Sequence, residues 1–284
     1  MSKIFTPALR YHGGKFRLAS WIISHFPDHR VYKETHGGAA SVLLQKPRSH
    51  GEIYNDIDRD IFNLFQVLRD PALAIQLIEA CQLTPYSRDE FISAYEHSDN
   101  PVERARRTIV RSQMGFGSGA ATFHKTGFRC EASRKHSTSA HCWAKYPFVI
   151  SAICERLQGV NIENRDAIDL INYCDTPDTL IYCDPPYLPS TRNSRNASSV
   201  YQHEMTEADH LHLIDNLKKS VGMVVLSGYE NELYMDSLPD WRFERKDSRI
   251  SAGSGTKLKT ECLWINPAAT DALSQQNKDK SCAA

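Results

Sequence analysis

The chain has 284 residues, of which 41% are hydrophobic, so it can bury a full core and form one large domain or one domain with a sizeable insertion. Its 34 Lys and Arg residues balance its 34 Asp and Glu residues, which argues against a protein that simply coats nucleic acid. No apolar run approaches membrane-spanning length, and Met1–Arg10 lacks the apolar centre of a signal peptide. The eight cysteines include no CxxC pair, a pattern typical of reduced thiols, and we therefore expect a cytoplasmic protein.

Two glycine turns stand near the start of the chain. The first, Tyr11-His-Gly-Gly-Lys15, leads into a predicted helix over 16–26. The second, His36-Gly-Gly-Ala-Ala-Ser41, follows a predicted strand over 31–35. Adjacent glycines free the backbone for close approach to a ligand, and the order strand, glycine turn, helix is the one in which a loop passes beneath a cofactor.

A carboxylate ends the next predicted strand. Residues 52–55 form this strand, and Asp56 follows it about 20 residues after the second glycine turn. A carboxylate at this spacing commonly binds the ribose hydroxyls of a nucleotide-like ligand. The alternative is an acid that only stabilises the start of a helix over 59–69 through the helix dipole.

Residues 71–150 interrupt the alternation of strands and helices. Within them, 101–150 hold nine Lys and Arg residues against two acids, with aromatic residues interleaved, a composition typical of an insertion that closes on nucleic acid. The alternative is a solvated helical face. Its possible zinc ligands match no usual spacing, so we predict no metal site; they are His124, Cys130, His136, His141 and Cys142.

The alternation resumes after a predicted helix over 146–157, and its central strand is followed by Asp184-Pro-Pro-Tyr187. Further strands are predicted over 160–163, 179–183, 222–227, 241–246 and 260–265. Prolines cannot donate to a sheet ladder, so the chain must leave the sheet there as a stiff turn. The turn presents a carboxylate, a proline carbonyl and an aromatic ring at the carboxyl edge of the sheet, where open α/β sheets bind their ligands.

The motifs, taken together in chain order, resemble those of the Dam-type (alpha-group) DNA adenine-N6 methyltransferases. They are Tyr11-His-Gly-Gly-Lys15, Glu34-Thr-His-Gly-Gly-Ala-Ala-Ser41, Asn55-Asp56, Asp166, Asp184-Pro-Pro-Tyr187 and Lys257-Leu-Lys-Thr-Glu-Cys-Leu-Trp-Ile-Asn266. The resemblance implies an α/β, Rossmann-like class I methyltransferase fold with a seven-stranded mixed sheet. It implies a catalytic domain of 1–70 and 146–267 and a mostly helical and loop target-recognition domain inserted at 71–145. The small polar residues 268–284 are expected to form a flexible tail.

The resemblance also implies a role for each motif. S-adenosylmethionine would be the cofactor, bound by Tyr11, Gly13, Gly14, Lys15, Glu34, Gly37, Gly38, Asp56, Asp166 and Asp184. The target adenine would be held by the catalytic residues Asp184, Pro185, Pro186 and Tyr187. Double-stranded DNA would be the partner. Its contacts are expected from the basic composition of the insertion and of the loop after the central turn, and not from the resemblance: Arg111, Lys125, Arg129, Arg134, Lys135, Arg192 and Arg195. No obligate protein partner and no membrane are expected. His36 and Ala40 stand where the family usually has an aromatic residue and a second loop glycine.

The chemistry of the central turn agrees with the resemblance. An adenine amino group is a poor nucleophile because its lone pair is delocalised into the ring. Asp184 and the carbonyl of Pro185 can each accept one N–H, which favours a pyramidal nitrogen whose lone pair points at a sulfonium methyl. The ring of Tyr187 can stack on a base taken out of the duplex.

Other functions use the same features. The acceptor geometry also serves methylation of cytosine N4 or of an RNA adenine, and a catalytically inactive nucleic-acid-binding relative would keep much of the sequence. A nucleotide-dependent oxidoreductase is a further alternative on this architecture. The missing G-x-G-x-x-G fingerprint argues against the oxidoreductase, and the intact Asp184-Pro-Pro-Tyr187 argues against the inactive relative.

Overall fold

The computed structural model of the chain describes residues 4–117, 125–130, 137–192, 201–252 and 255–282. The strands are β1 Val31–Glu34, β2 Gly51–Asn55, β3 Val160–Glu163, β4 Thr179–Cys183, β5 Met223–Gly228, β6 Arg242–Ala252 and β7 Gly255–Ile265. The helices are α1 Ala19–Ile23, α2 Arg59–Arg69, α3 Pro71–Leu83, α4 Arg88–Ser93, α5 Pro101–Met114, α6 Ser139–Leu157, α7 Ala167–Asn172, α8 Glu207–Lys219, α9 Glu232–Ser237 and α10 Pro267–Cys282.

The seven strands form one mixed sheet in the order β3-β2-β1-β4-β5-β7-β6. The first five strands of this order pair in parallel, and β7 pairs antiparallel with both β5 and β6. The chain runs from β1 outward to β2 and β3 and then returns to β4 on the other side of β1. The strand order therefore reverses between β1 and β4, and open α/β sheets bind ligands at such a point. The predicted seven-stranded mixed sheet is confirmed.

Helices α3 to α6 lie in the segment that interrupts the alternation of strands and helices. Their N-termini carry strong start signals: Asp70 accepts two backbone N–H bonds before Pro71, and Asn100 does the same before Pro101. Side chains of these helices, such as Ile109 on α5, belong to the same hydrophobic cluster as the sheet residues. The described part of the insertion is thus continuous with the core of the sheet.

Among the described residues, no single helix has the length and apolar character needed to cross a membrane. Helices α2 and α3 meet that test only as a pair, and they are bent by 108° relative to each other.

The C-terminal segment differs from the prediction of a flexible tail. It forms α10, whose Ala269 is fully buried and whose Leu273 packs in the main hydrophobic cluster. Asn266 fixes the start of this helix, because its Oδ1 accepts the backbone N–H of both Ala269 and Val224. The tail prediction is wrong because small side chains, which look like poor core material, allow a helix to lie close against the sheet.

Candidate active site

A cavity of about 370 Å³ lies at the carboxyl edge of the sheet, where the strand order reverses between β1 and β4. Both glycine turns and several strand ends meet around it. All the residues predicted to bind the cofactor line it: Tyr11, Gly13, Gly14, Lys15, Glu34, Gly37, Gly38, Asp56, Asp166 and Asp184. Parallel strands bring their carboxyl ends to one edge, which explains why positions far apart in sequence converge here.

The lining of the cavity is rich in carboxylates. Its acidic residues are Glu34, Asp56, Asp58, Asp166, Asp184, Glu204 and Asp209. Its lysine and arginine residues are Lys15 and Arg165. Such a lining suits a ligand that carries positive charge and hydroxyl groups, and it is unfavourable for the pyrophosphate of a dinucleotide. The charge of the cavity therefore argues against the oxidoreductase alternative.

The second glycine turn is held in place by the end of β2. Asp56 Oδ2 accepts the N–H of Gly38 at 2.7 Å, and the hydroxyl of Tyr54 donates to the Gly38 carbonyl at 2.6 Å. Gly38 has a φ of 50°, and a Cβ on it would lie 2.9 Å from the ring of Tyr11, so this position needs glycine. Ala40 keeps a left-handed φ of 51° without being glycine. The turn thus retains a glycine-like backbone at the position where the sequence departs from the family pattern.

Two carboxylates of the cavity have raised pKa values. Burial raises the pKa of Asp56 to about 7, although two backbone N–H groups donate to it. Burial likewise raises the pKa of Glu34 to about 8, and the donors that oppose this shift are the hydroxyl of Tyr32 at 2.7 Å and the N–H of Leu43 at 2.9 Å. Both carboxylates therefore change charge near neutral pH, and a cationic ligand would favour their ionised forms.

The Asp184-Pro-Pro-Tyr187 turn follows the fully buried strand β4. Asp184 and Pro186 line the cavity, whereas Pro185 and Tyr187 are buried behind them. Asp184 Oδ2 lies 2.9 Å from the Nζ of Lys15, and the Tyr187 hydroxyl is 3.1 Å from Asp184 Oδ1. The turn thus presents one partly exposed carboxylate to the cavity and anchors it from below.

The sequence predicts no role for two residues that lie at the site in the structure. Glu261 on β7 accepts a hydrogen bond from the Tyr187 hydroxyl and lies 3.7 Å from Lys15 Nζ. An acid directly before the apolar run Cys262–Ile265 of a predicted strand was the signal available for it. Tyr201 packs edge-on against His12 with ring centroids 5.4 Å apart and lines the cavity. Its polar sequence surroundings gave no signal.

Arg111 does not take the predicted DNA-binding position. It is buried on α5, its Nη2 lies 2.9 Å from Asp60 Oδ2, and its Nη1 donates to the Ala94 carbonyl. Its neighbours Arg104 and Arg106 also pair with acidic residues. The prediction of a DNA contact for Arg111 is wrong, because part of the positive charge of the basic block is neutralised inside the helical layer.

The other predicted DNA-binding residues occupy different surroundings. Lys125 is exposed, and Arg129 is half-buried with one amino group 3.3 Å from the Gly117 carbonyl. The Arg192 side chain is nearly buried, pairs with Glu204 and lies over the ring of Tyr201, and both of these partners line the cavity. Arg134, Lys135 and Arg195, like the zinc candidates His124 and His136, lie outside the described residues.

The fold and the site define the class of protein. A seven-stranded mixed sheet that carries a glycine-turn cavity beside an Asp-Pro-Pro-Tyr turn is the architecture of a Rossmann-like methyltransferase. A family described as D12 class N6 adenine-specific DNA methyltransferase matches residues 11–247, which is most of the chain. The chain belongs to this family and is a DNA adenine-N6 methyltransferase. The resemblance and the activity predicted from the sequence are confirmed.

Curated relatives agree with the family. The DNA adenine methylase of Vibrio cholerae serotype O1 is 24% identical over 226 residues, which cover 75% of this chain and 76% of the relative. The DNA adenine methylase of Salmonella typhimurium is 23% identical over 273 residues, or 90% of this chain and 92% of the relative. That of Haemophilus influenzae is 26% identical over 192 residues, or 64% of each chain. These similarities do not favour methylation of cytosine N4 or of RNA adenine, nor a catalytically inactive relative.

Proposed function

We propose that the cavity binds S-adenosylmethionine and that Asp184-Pro-Pro-Tyr187 presents the amino group of an adenine from double-stranded DNA to the methyl group. The observation that carries the proposal is the convergence of both glycine turns, the strand-end carboxylates and Asp184 on one cavity. S-adenosylmethionine, when bound, supplies a sulfonium methyl that a nucleophilic nitrogen can take.

The residues of the cavity fit this cofactor. The volume of about 370 Å³ lies in the range of small-molecule sites. Ser41 Oγ is buried without a hydrogen-bond partner among the described residues, and Ser41 lines the cavity, so it can bond a polar end of the ligand. Asp56 accepts one backbone N–H on each oxygen and keeps lone pairs for the two ribose hydroxyls. Asp166 caps α7 through Oδ1, which leaves its other oxygen for the amino group of the cofactor adenine.

Asp184 is the centre of the proposed mechanism. Its free acceptor capacity and the carbonyl of Pro185 take the two N–H bonds of the target amine and turn the nitrogen lone pair toward the methyl group. A bound S-adenosylmethionine would supply the methyl group for the new N–C bond, and its sulfur would keep the electron pair of the broken C–S bond. Positive charge grows on the nitrogen, so fixed acceptors stabilise the transition state more than the ground state. The nitrogen then releases its extra proton along the hydrogen bond to Asp184.

An adenine inside a duplex cannot reach a carboxylate at the sheet edge, so we infer that the base leaves the stack. The insertion supports contact with DNA. Gly115 and Phe128 form an antiparallel bridge, and beside it Phe116 is 65% exposed and Lys125 is exposed. An exposed basic side chain and an exposed aromatic ring on the two bridged segments suit contact with phosphates and bases.

Asp56→Ala should weaken the binding of S-adenosylhomocysteine, because the ribose hydroxyls lose a charged acceptor worth about 1.5–3 kcal/mol. This corresponds to roughly 10- to 150-fold in affinity, measured by calorimetry. Asp70→Ala is the matched control: Asp70 also accepts two backbone N–H bonds at a helix start, but it lies outside the cavity. Unchanged affinity in Asp56→Ala would place the cofactor elsewhere.

The affinity for S-adenosylmethionine should rise with pH. Below their raised pKa values of about 7 and about 8, Asp56 and Glu34 are protonated and neutral. A cationic ligand favours the ionised carboxylates, so binding releases protons, and affinity increases by up to about tenfold per pH unit for each group until both are ionised. Calorimetry in buffers of different ionisation enthalpy measures the released protons. An affinity that falls as the pH rises would contradict the assignment of these carboxylates to the cofactor.

A further inference from the structure

Two charged side chains, Lys15 and Glu261, lie behind the catalytic carboxylate of Asp184. Lys15 Nζ lies 2.9 Å from Asp184 Oδ2, 3.7 Å from Glu261 Oε1 and 2.7 Å from the Gly13 carbonyl oxygen. The side chains of Lys15 and Glu261 are 5% and 6% exposed, so their charges are poorly screened by water. One ammonium and two carboxylates leave the cluster with one net negative charge.

Glu261 touches both neighbours of Asp184 without lining the cavity itself. The Tyr187 hydroxyl donates to Glu261, and Lys15 Nζ lies 4.7 Å from the centre of the Tyr187 ring. The charged and titratable groups that act on or respond to Glu261 are Lys15, Asp184, Tyr182, Tyr187, Tyr229, Lys259 and Cys262. Burial raises the pKa of Glu261, and the ammonium of Lys15 opposes this shift.

An Asp184–Lys15 pair alone would be a poor site for this reaction. The ammonium cancels the charge of the carboxylate and stands close to a nitrogen that becomes positive during methyl transfer. A second carboxylate behind the ammonium restores a net negative charge. It does so without moving Lys15 away from Asp184, because the Lys15 ammonium lies close to both acids at once.

We propose that Glu261 is a positioning residue of the methyl transfer: it holds Lys15 and Tyr187 against Asp184 and leaves one net negative charge behind the target nitrogen. The inference rests on the proposed function, since it requires that Asp184 receives the target amine.

Glu261→Gln tests this role because glutamine keeps the size and an acceptor for the Tyr187 hydroxyl but removes the charge. The single-turnover rate at saturating S-adenosylmethionine and DNA should fall about 10- to 100-fold, while affinity for S-adenosylhomocysteine stays within about twofold. Burial raises the pKa of Glu261, so protonation at low pH removes this charge from the wild-type chain, whereas glutamine has no such proton to gain. The acid limb of the rate profile should therefore move to lower pH.

Two comparisons separate this role from a merely structural one. Tyr187→Phe removes a hydroxyl donor and keeps both charges, so its acid limb should move the opposite way, to higher pH. Glu52→Gln removes a buried carboxylate that pairs with Lys46 and Arg156 outside the cavity. It should lower thermal stability and leave the acid limb in place.

The outcomes distinguish this inference from the proposed function. A wild-type chain that transfers no methyl group to DNA contradicts the proposed function. If the wild-type chain is active and the Glu261→Gln variant has the wild-type rate, or the wild-type acid limb in its pH–rate profile, only the role of Glu261 is contradicted.

Discussion

Asp184→Ala should lower the rate of methyl transfer by about 10²-fold or more and change the affinity for the cofactor much less. The substitution deletes an acceptor that acts on the charge developing at the target nitrogen, while Lys15 keeps Glu261 as a partner at 3.7 Å. Single-turnover measurements with labelled S-adenosylmethionine give the rate, and calorimetry with S-adenosylhomocysteine gives the affinity.

Asp166→Ala is the control for this prediction. Asp166 is another strand-end carboxylate that lines the same cavity, and its proposed partner is the cofactor adenine. We expect this variant to bind the cofactor more weakly and to keep most of its rate at saturation. If Asp184→Ala turned over normally, or if both variants lost only affinity, Asp184 would have no catalytic role.

Arg111→Ala should lower the free energy of unfolding by about 3 kcal/mol, the lower end of the cost of breaking a buried ion pair. The lower end applies because Asp60 also contacts Arg104, so it keeps one cationic partner. The Ala94 carbonyl loses a hydrogen bond as well. Urea unfolding measures the change.

Lys125→Ala is the matched comparison, because this exposed side chain belongs to the same basic block. Its free energy of unfolding should stay within about 0.5 kcal/mol of wild type. Its DNA affinity should depend less steeply on salt. The slope of log affinity against log salt concentration should become shallower by about 0.9 for each phosphate that the variant no longer neutralises. An Arg111→Ala variant that unfolds like wild type but binds DNA more weakly would show that Arg111 contacts DNA, as the sequence predicted.

The sheet and the cavity could be predicted because their signals are local. Short apolar runs end at Asp56 and Asp184, and adjacent glycines mark the turns, so each motif is visible within a few residues. Parallel strands then bring these ends together without further information. The sequence predicts that these motifs meet at one edge of the sheet, and the structure gives the distances between their side chains.

The partners of charged residues could not be predicted, because charge pairing depends on tertiary contacts. Arg111 and Asp60 are 51 residues apart, and Tyr187 and Glu261 are 74 apart. A count of basic residues therefore overestimates the charge available to DNA, and an acid inside a strand gives no indication of which cation it meets. The same limit applies to α10, whose packing depends on contacts with residues far away in the sequence.

Product analysis tests the central claim most directly. The chain is incubated with labelled S-adenosylmethionine and, separately, with double-stranded DNA, single-stranded DNA and RNA of matched sequence, and the products are digested to nucleosides. We expect the label in N6-methyladenine of double-stranded DNA with the wild-type chain and its loss with Asp184→Ala. Label in cytosine or in RNA, or equal labelling by the Asp184→Ala variant, would contradict a DNA adenine-N6 methyltransferase that acts through Asp184.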